Sequence, residues 1–306
     1  MGGIDGHPAM TGVAPPRPGV RFATRGHTRI AYVVTGPDDG DPDVPTVCFL
    51  HGLLLGRDTF APVREALAAH VPVRTIEIDA RGHGASAALT DRGYTLADAA
   101  METLAVLDRA GSPAVHLVGH DLGGMTALVL ASIAPGRVAS LTLVEPAAEA
   151  LLIQSDDADI RSRSELARRV RREIAETAYK GLLDQALDRY LRERWGSTWQ
   201  EGMATAHQAA IRRNANALAP SLRALDAASI DHVALAGARI PLSMAHWLGS
   251  APDMTAVADL LSLWVPSITM IDTEPPLRPN QPFGGSSLGT SMAEALSQTI
   301  LGAPSR

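Results

Sequence analysis

The residues of this chain best placed to do chemistry form the run Gly119-His120-Asp121-Leu122-Gly123-Gly124. It follows the apolar stretch 114–118 and leads into the helix-forming stretch 125–130. A strand, a tight Gly-x-nucleophile-x-Gly bend and a helix together lift one side chain clear of a sheet. Here that side chain is the Asp121 carboxylate rather than a hydroxyl. A carboxylate so placed can attack carbon and form an ester, or it can exchange a proton. Releasing such an ester with water calls for a base, and no histidine follows residue 246. Beyond the helix opened by the bend lie only His207, His232 and His246. His207 falls in a helical region facing solvent, and His232 falls in a linker. His246 ends an apolar strand on the sheet edge where sites gather, and it can equally pack beside Trp247.

The elements that must position Asp121 are legible as alternating apolar runs. Residues 20–34 read as a hairpin turning near Gly26. The runs 44–50, 71–78, 114–118 and 138–144 read as buried parallel strands. Helical spacing fills 59–69 and 96–110 between them. Strands alternating with helices predict an α/β fold with a mostly parallel twisted sheet flanked by helices. From 147 onward the pattern changes: no strand is evident to 230, and twelve arginines fall in that stretch. Tyr179, Leu182, Leu183, Ala186, Leu187, Tyr190, Leu191 and Trp195 follow helical spacing and form one apolar stripe. The sheet resumes at 240–246 and 267–271, and a helix closes the chain over 291–301.

Composition sets the outer limits. The 306 residues, 46% of them apolar, suffice for one large α/β domain. A net charge of −6 gives no reason to expect nucleic acid or an anionic membrane as partner. No apolar run is long enough for a membrane span, and no secretory leader is evident. With a single cysteine, Cys48, the default expectation is a cytoplasmic protein. Its arginine count against one lysine, Lys180, fits a GC-rich bacterial genome. No metal site or cofactor motif is evident, so neither is expected. The oligomeric state stays open, a dimer included.

In order along the chain stand His51-Gly52 after one strand, Arg81-Gly82-His83-Gly84 after the next, and the bend 119–124. Together with a helical insertion after Glu145, these motifs resemble the α/β-hydrolase fold superfamily over roughly residues 20–270. The aspartate resembles the branch that holds epoxide hydrolases and haloalkane dehalogenases. The resemblance implies a core of 20–146 and 236–306 and an all-helical cap of 147–235, and the Gly- and Pro-rich composition of residues 1–19 predicts a disordered segment. It implies backbone donors at Leu53 and Leu122 and an acid at Glu145, the end of the strand after the bend. Glu145 can equally be an ordinary charged strand terminus. His120 occupies a slot that packs away from the site in such proteins, and Asp79 with the 81–84 loop is scaffolding. The family's histidine belongs after the last strand, but residues 271–279 hold none. Leu122 stands where many dehalogenases place a halide-binding tryptophan, so epoxide opening is the preferred reading. Leu53-Leu54-Leu55 replaces the proline common after His-Gly in many epoxide hydrolases.

The expected function is therefore epoxide opening on a bulky specialised metabolite, large and apolar or aromatic. The absent histidine favours intramolecular C–C or C–O bond formation over water attack. The alternatives are a conventional epoxide hydrolase or other hydrolase using His246 as base, and a catalytically degenerate ligand-binding protein. His51, Tyr179, Tyr190, Trp195 and Trp247 are the expected substrate contacts. Core packing explains the tyrosines equally well.

Overall fold

The computed structural model describes residues 19–37, 44–90, 93–201, 203, 205–247, 252–273 and 286–302. The segment before residue 19, expected to be disordered, lies outside the described residues. A hairpin of β1 (Arg21–Arg25) and β2 (Thr28–Thr35) opens the fold, turning at Gly26 with φ +58°. Then come β3 (Thr46–Leu50), α1 (Ala61–His70), β4 (Arg74–Ile78), α2 (Leu96–Arg109), β5 (Val115–His120), α3 (Leu122–Ile133) and β6 (Val138–Val144). Between β6 and the next strand the described residues are helical: α4 (Ala158–Tyr179), α5 (Leu183–Trp195), α6 (Thr205–Arg213), α7 (Leu218–Asp226) and α8 (His232–Gly237), with short 3-10 turns. The sheet resumes with β7 (Leu242–Trp247) and, after α9 (Pro252–Trp264), with β8 (Thr269–Thr273). The last helix is α10 (Ser286–Gly302).

The eight strands form one sheet in the order β1-β2-β4-β3-β5-β6-β7-β8. Only the pairings of β2 with β1 and with β4 are antiparallel. Each central strand is buried on both faces, which is why it reads as a continuous apolar run. Along β3, Val47 and Phe49 join the core shared with α1 and α10, while Cys48 and Leu50 join the larger core under α2 and α3. Burial pushes the Cys48 thiol far up. The strand order reverses between β3 and β5, which flank each other although β4 lies between them in sequence. Ligand sites of open α/β sheets form beyond the carboxyl ends of such strands.

Three features differ from the sequence expectations. The stripe from Tyr179 to Trp195 is two helices: α4 ends at Tyr179, Gly181 turns with φ +86°, and Leu182 is exposed. Spacing alone cannot register a turn short enough to keep the stripe in phase. His232 starts α8 rather than lying in a linker, with its ring stacked on Trp264 at 5.1 Å. The third is α9, whose buried Met254, Val257 and Leu261 recur at helical spacing.

The bend after β5 depends on missing side chains. A Cβ on Gly119 would lie 2.5 Å from the Gly123 carbonyl oxygen, and one on Gly123 would lie 2.1 Å from the Leu50 carbonyl oxygen. Both contacts are with backbone, so neither can be relieved by rotating a side chain. Gly123→Ala should cost about 3 kcal/mol or more in urea denaturation. Gly136→Ala, where nothing lies within 4 Å, should change stability by less than about 0.5 kcal/mol.

Candidate active site

Asp121 sits between β5 and α3 with φ +51° and ψ −116°, a backbone geometry that costs about 1–3 kcal/mol for a non-glycine residue. Its neighbours fix it there. Its N–H donates to the Val144 carbonyl at 3.1 Å, and its carbonyl accepts from Met125 at 3.1 Å and Ala147 at 3.0 Å. The Gly123 N–H donates to the His51 carbonyl at 3.1 Å, tying α3 to the loop after β3.

That loop supplies a backbone donor. The Leu53 N–H donates to Asp121 Oδ2 at 2.8 Å, and the Leu122 N–H also acts on the carboxylate. Leu54 has φ +66°, and its N–H donates to His83 Nε2 at 3.0 Å. Asn214 Nδ2 donates to the carbonyls of Leu54 and Leu55 at 3.0 and 2.8 Å. The Asn214 Oδ1 accepts from Gly84 N–H at 3.2 Å. Asp79 accepts from the Arg57 guanidinium and, at 2.9 Å, from the Ala85 N–H. One amide from the helical stretch and one buried carboxylate thus hold the two loops that frame Asp121.

The other carboxylate oxygen faces a cation. Arg194 Nη2 on α5 donates to Asp121 Oδ1 at 3.2 Å, and its Nη1 stands 4.0 Å from Glu149 Oε1. Glu149 Oε2 accepts from Arg171 Nη1 on α4 at 3.3 Å. Burial alone would push the Asp121 carboxyl up. Arg194, then His120 and the two N–H groups, outweigh it, so Asp121 is held below the usual carboxylate range. Burial likewise opposes the charge of Arg194, and Asp121, Glu149 and Glu145 more than restore it. Tyr190, one helical turn before Arg194, is kept a neutral phenol by burial and then by the charge of Asp121. An ionised carboxylate of this kind can act as a nucleophile or accept a proton. It does not donate one near neutral pH.

Of the described imidazoles near Asp121, those of His51 and His83 are bound to backbone. His51 Nδ1 donates to the Gly52 carbonyl at 2.8 Å, and its Nε2 accepts from the Ala80 N–H at 3.0 Å. Neither nitrogen is left for a substrate. His83 is fixed in the same way between Leu54 and the Arg81 carbonyl, and burial lowers it to about 3. The His120 ring lies against Gly52, and burial lowers it to about 4, a weak base. His207 is exposed on α6. His246 and Trp247 close β7, in register with Asp272 and Thr273, and their side chains lie outside the described residues. Glu145 follows β6 with φ +38°, and its N–H donates to the Ala245 carbonyl at 3.4 Å. Tyr179 and Trp195 are partly buried against the larger core.

Comparison with known proteins agrees with this architecture. Residues 45–210 match the family model described as the alpha/beta hydrolase fold. The chain belongs to the α/β-hydrolase fold family. A segment of 115 residues is 44% identical to a protein provisionally named carbamate hydrolase RutD, from Variovorax paradoxus, covering 37% of this chain and 41% of that one. Another of 107 residues is 35% identical to the mouse sn-1-specific diacylglycerol lipase ABHD11, covering 35% and 34%. The chain thus spans less than half the length of these relatives. A loop variant of the haloalkane dehalogenase DbeA from Bradyrhizobium elkanii superposes with TM-score 0.69 at 20% identity, over 93% of this chain and 96% of that one. The enol-lactonase of Burkholderia xenovorans gives 0.65 at 18% identity, over 92% and 98%. At such identities these likenesses establish the fold alone.

Within this α/β-hydrolase-fold chain, the residues that sequence reasoning missed are Arg194, Glu149 and Arg171. One signal was available: Arg194 stands at i+4 from Tyr190, on the side of α5 that turns inward. Arg194→Met should raise the Asp121 pKa, since burial would remain and the attraction would be gone. Carboxyl ¹³C shifts followed against pH would read this directly. In the wild type the group is depressed, so its stabilising contribution holds above the unfolded carboxylate range and fades as pH falls through the lowered value. In the variant burial remains without that attraction, so the loss of stability on acidification should shrink or reverse.

Proposed function

We propose that this chain opens an epoxide on a bulky, largely apolar metabolite and closes the product on an internal nucleophile. The observation that carries the reading is the Asp121 carboxylate, ionised and held by Leu53 N–H and Arg194 at the mouth of the strand switch. The helical segment 147–235 serves as the cap over it and supplies Tyr190 and Arg194. Asp121 attacks an epoxide carbon, and the C–O bond of the ring breaks. The negative charge passes from the carboxylate to the ring oxygen, and Arg194 can follow it, since its donors already face that space. The Tyr190 phenol gives its proton to the oxygen. A hydroxyl of the same substrate then displaces the Asp121 carboxylate from carbon and returns a proton to the Tyr190 phenolate. The sum is an isomerisation that consumes no water. The commitment of His51 and His83 to backbone, and the weak basicity of His120, favour this route over water attack.

A second reading has one observation in its favour. Val144 pairs with Ala245, so Glu145, just after β6, and His246, in β7 just before Trp247, lie near the same end of neighbouring strands. There they could serve as acid and base of a conventional hydrolase. A hydroxy-epoxide such as 4,5-epoxy-5-phenylpentan-1-ol, turned over many times in ¹⁸O water, separates the two. The expected product is an unlabelled cyclic ether of unchanged mass. A labelled triol would replace the cyclising reading with the hydrolytic one. Asp121→Asn should lower turnover by about 10²-fold or more, and Tyr190→Phe by roughly 10²–10⁴-fold, the usual worth of a positioned proton donor. An Asp121→Asn variant at full rate would remove both readings.

A further inference from the structure

Arg171 is the one arginine of α4 that is tied into the Asp121 cluster. Arg168 and Arg172 of the same helix pair with Asp226 at 2.9 and 3.0 Å, and Arg161 donates to the Ser155 carbonyl at 2.6 Å. Arg171 instead pairs with Glu149, which in turn faces Arg194. Its side chain is only 13% exposed. Its Nε and Nη2 are sealed from solvent and have no hydrogen-bond partner among the described residues. These two nitrogens form one edge of the planar guanidinium, with N–H bonds pointing the same way. That edge is the geometry that takes both oxygens of a carboxylate. Arginine has no acceptor, so the missing partner must be an acceptor group.

We infer that the Nε–Nη2 edge of Arg171 is a subsite for a carboxylate carried by the substrate, remote from the carbon that meets Asp121. The inference rests on the proposed epoxide-opening reading and adds the substrate class: an apolar epoxy acid. One oxygen of Glu149 is held by Arg171 Nη1 and the other stands 4.0 Å from Arg194, so Glu149 leaves the Nε–Nη2 edge of Arg171 unserved. The pairs Arg171–Glu149 and Glu149–Arg194–Asp121 share Glu149, so the proposed subsite and the reacting carboxylate belong to one connected cluster.

Three matched probes test this on the full chain: 2-naphthoate, 2-naphthamide and 2-naphthylmethanol, titrated by calorimetry. The naphthoate should bind at least tenfold more tightly than the other two. Arg171→Met should reduce it to the level of the amide, and Arg171→Lys should keep part of the preference, which guards against a variant that folds poorly. Arg172→Met, on the outer face, should change nothing. Equal affinity for the three probes, or a carboxylate preference that survives Arg171→Met, overturns the inference. Asp121→Asn should abolish epoxide turnover while leaving the naphthoate preference in place. Loss of the subsite and loss of the epoxide reading are thus seen separately.

Discussion

The site depends on how closely α3 approaches the end of β3. Backbone meets backbone there, with no room for a Cβ on Gly119 or Gly123. That approach turns the chain sharply enough to drive Asp121 to positive φ and aim its carboxylate at the loop after β3. It also brings the His51 carbonyl to the Gly123 N–H, so the loop and the helix are fastened where the donor from Leu53 is needed. The start of α3 adds a favourable field for negative charge. Strain at one residue is therefore maintained by many ordinary contacts around it.

Charge sets what Asp121 can do. A carboxylate this deeply buried would ordinarily tend to be protonated. Arg194 reverses the tendency, and it arrives from a helix far along the chain. Removing one partner of such a pair is expected to be costly, because the other charge stays buried without compensation. The pair is joined to a second, Arg171 with Glu149, so the charges alternate from α4 to the bend. The phenol of Tyr190 lies among them and remains protonated.

Much of the fold was legible because sheet burial leaves a plain record. The central strands appear as short apolar runs, and the glycines of 119–124 mark a bend whose reason is steric. Asp121 could be named from local pattern, and Leu53 from the family resemblance. Arg194, Glu149 and Arg171 could not, since their meaning lies in contacts across 73 and 22 positions of sequence. In a helical region with twelve arginines, the i+4 spacing of Arg194 from Tyr190 was the one local hint, and spacing does not show which arginine meets Asp121. The break at Gly181 was hidden for a related reason: the apolar stripe carries on in phase across the turn.

Asn214 joins the helical stretch to the sheet. Its amide belongs to the helical stretch, yet its bonds end on the loops of the sheet, at Leu54, Leu55 and Gly84. From the same helical stretch Arg194 reaches Asp121 itself, so one residue fastens the loop that carries the Leu53 N–H and another sets the charge of the carboxylate. The ionisation of Asp121 therefore depends on helices that lie outside the sheet that presents it.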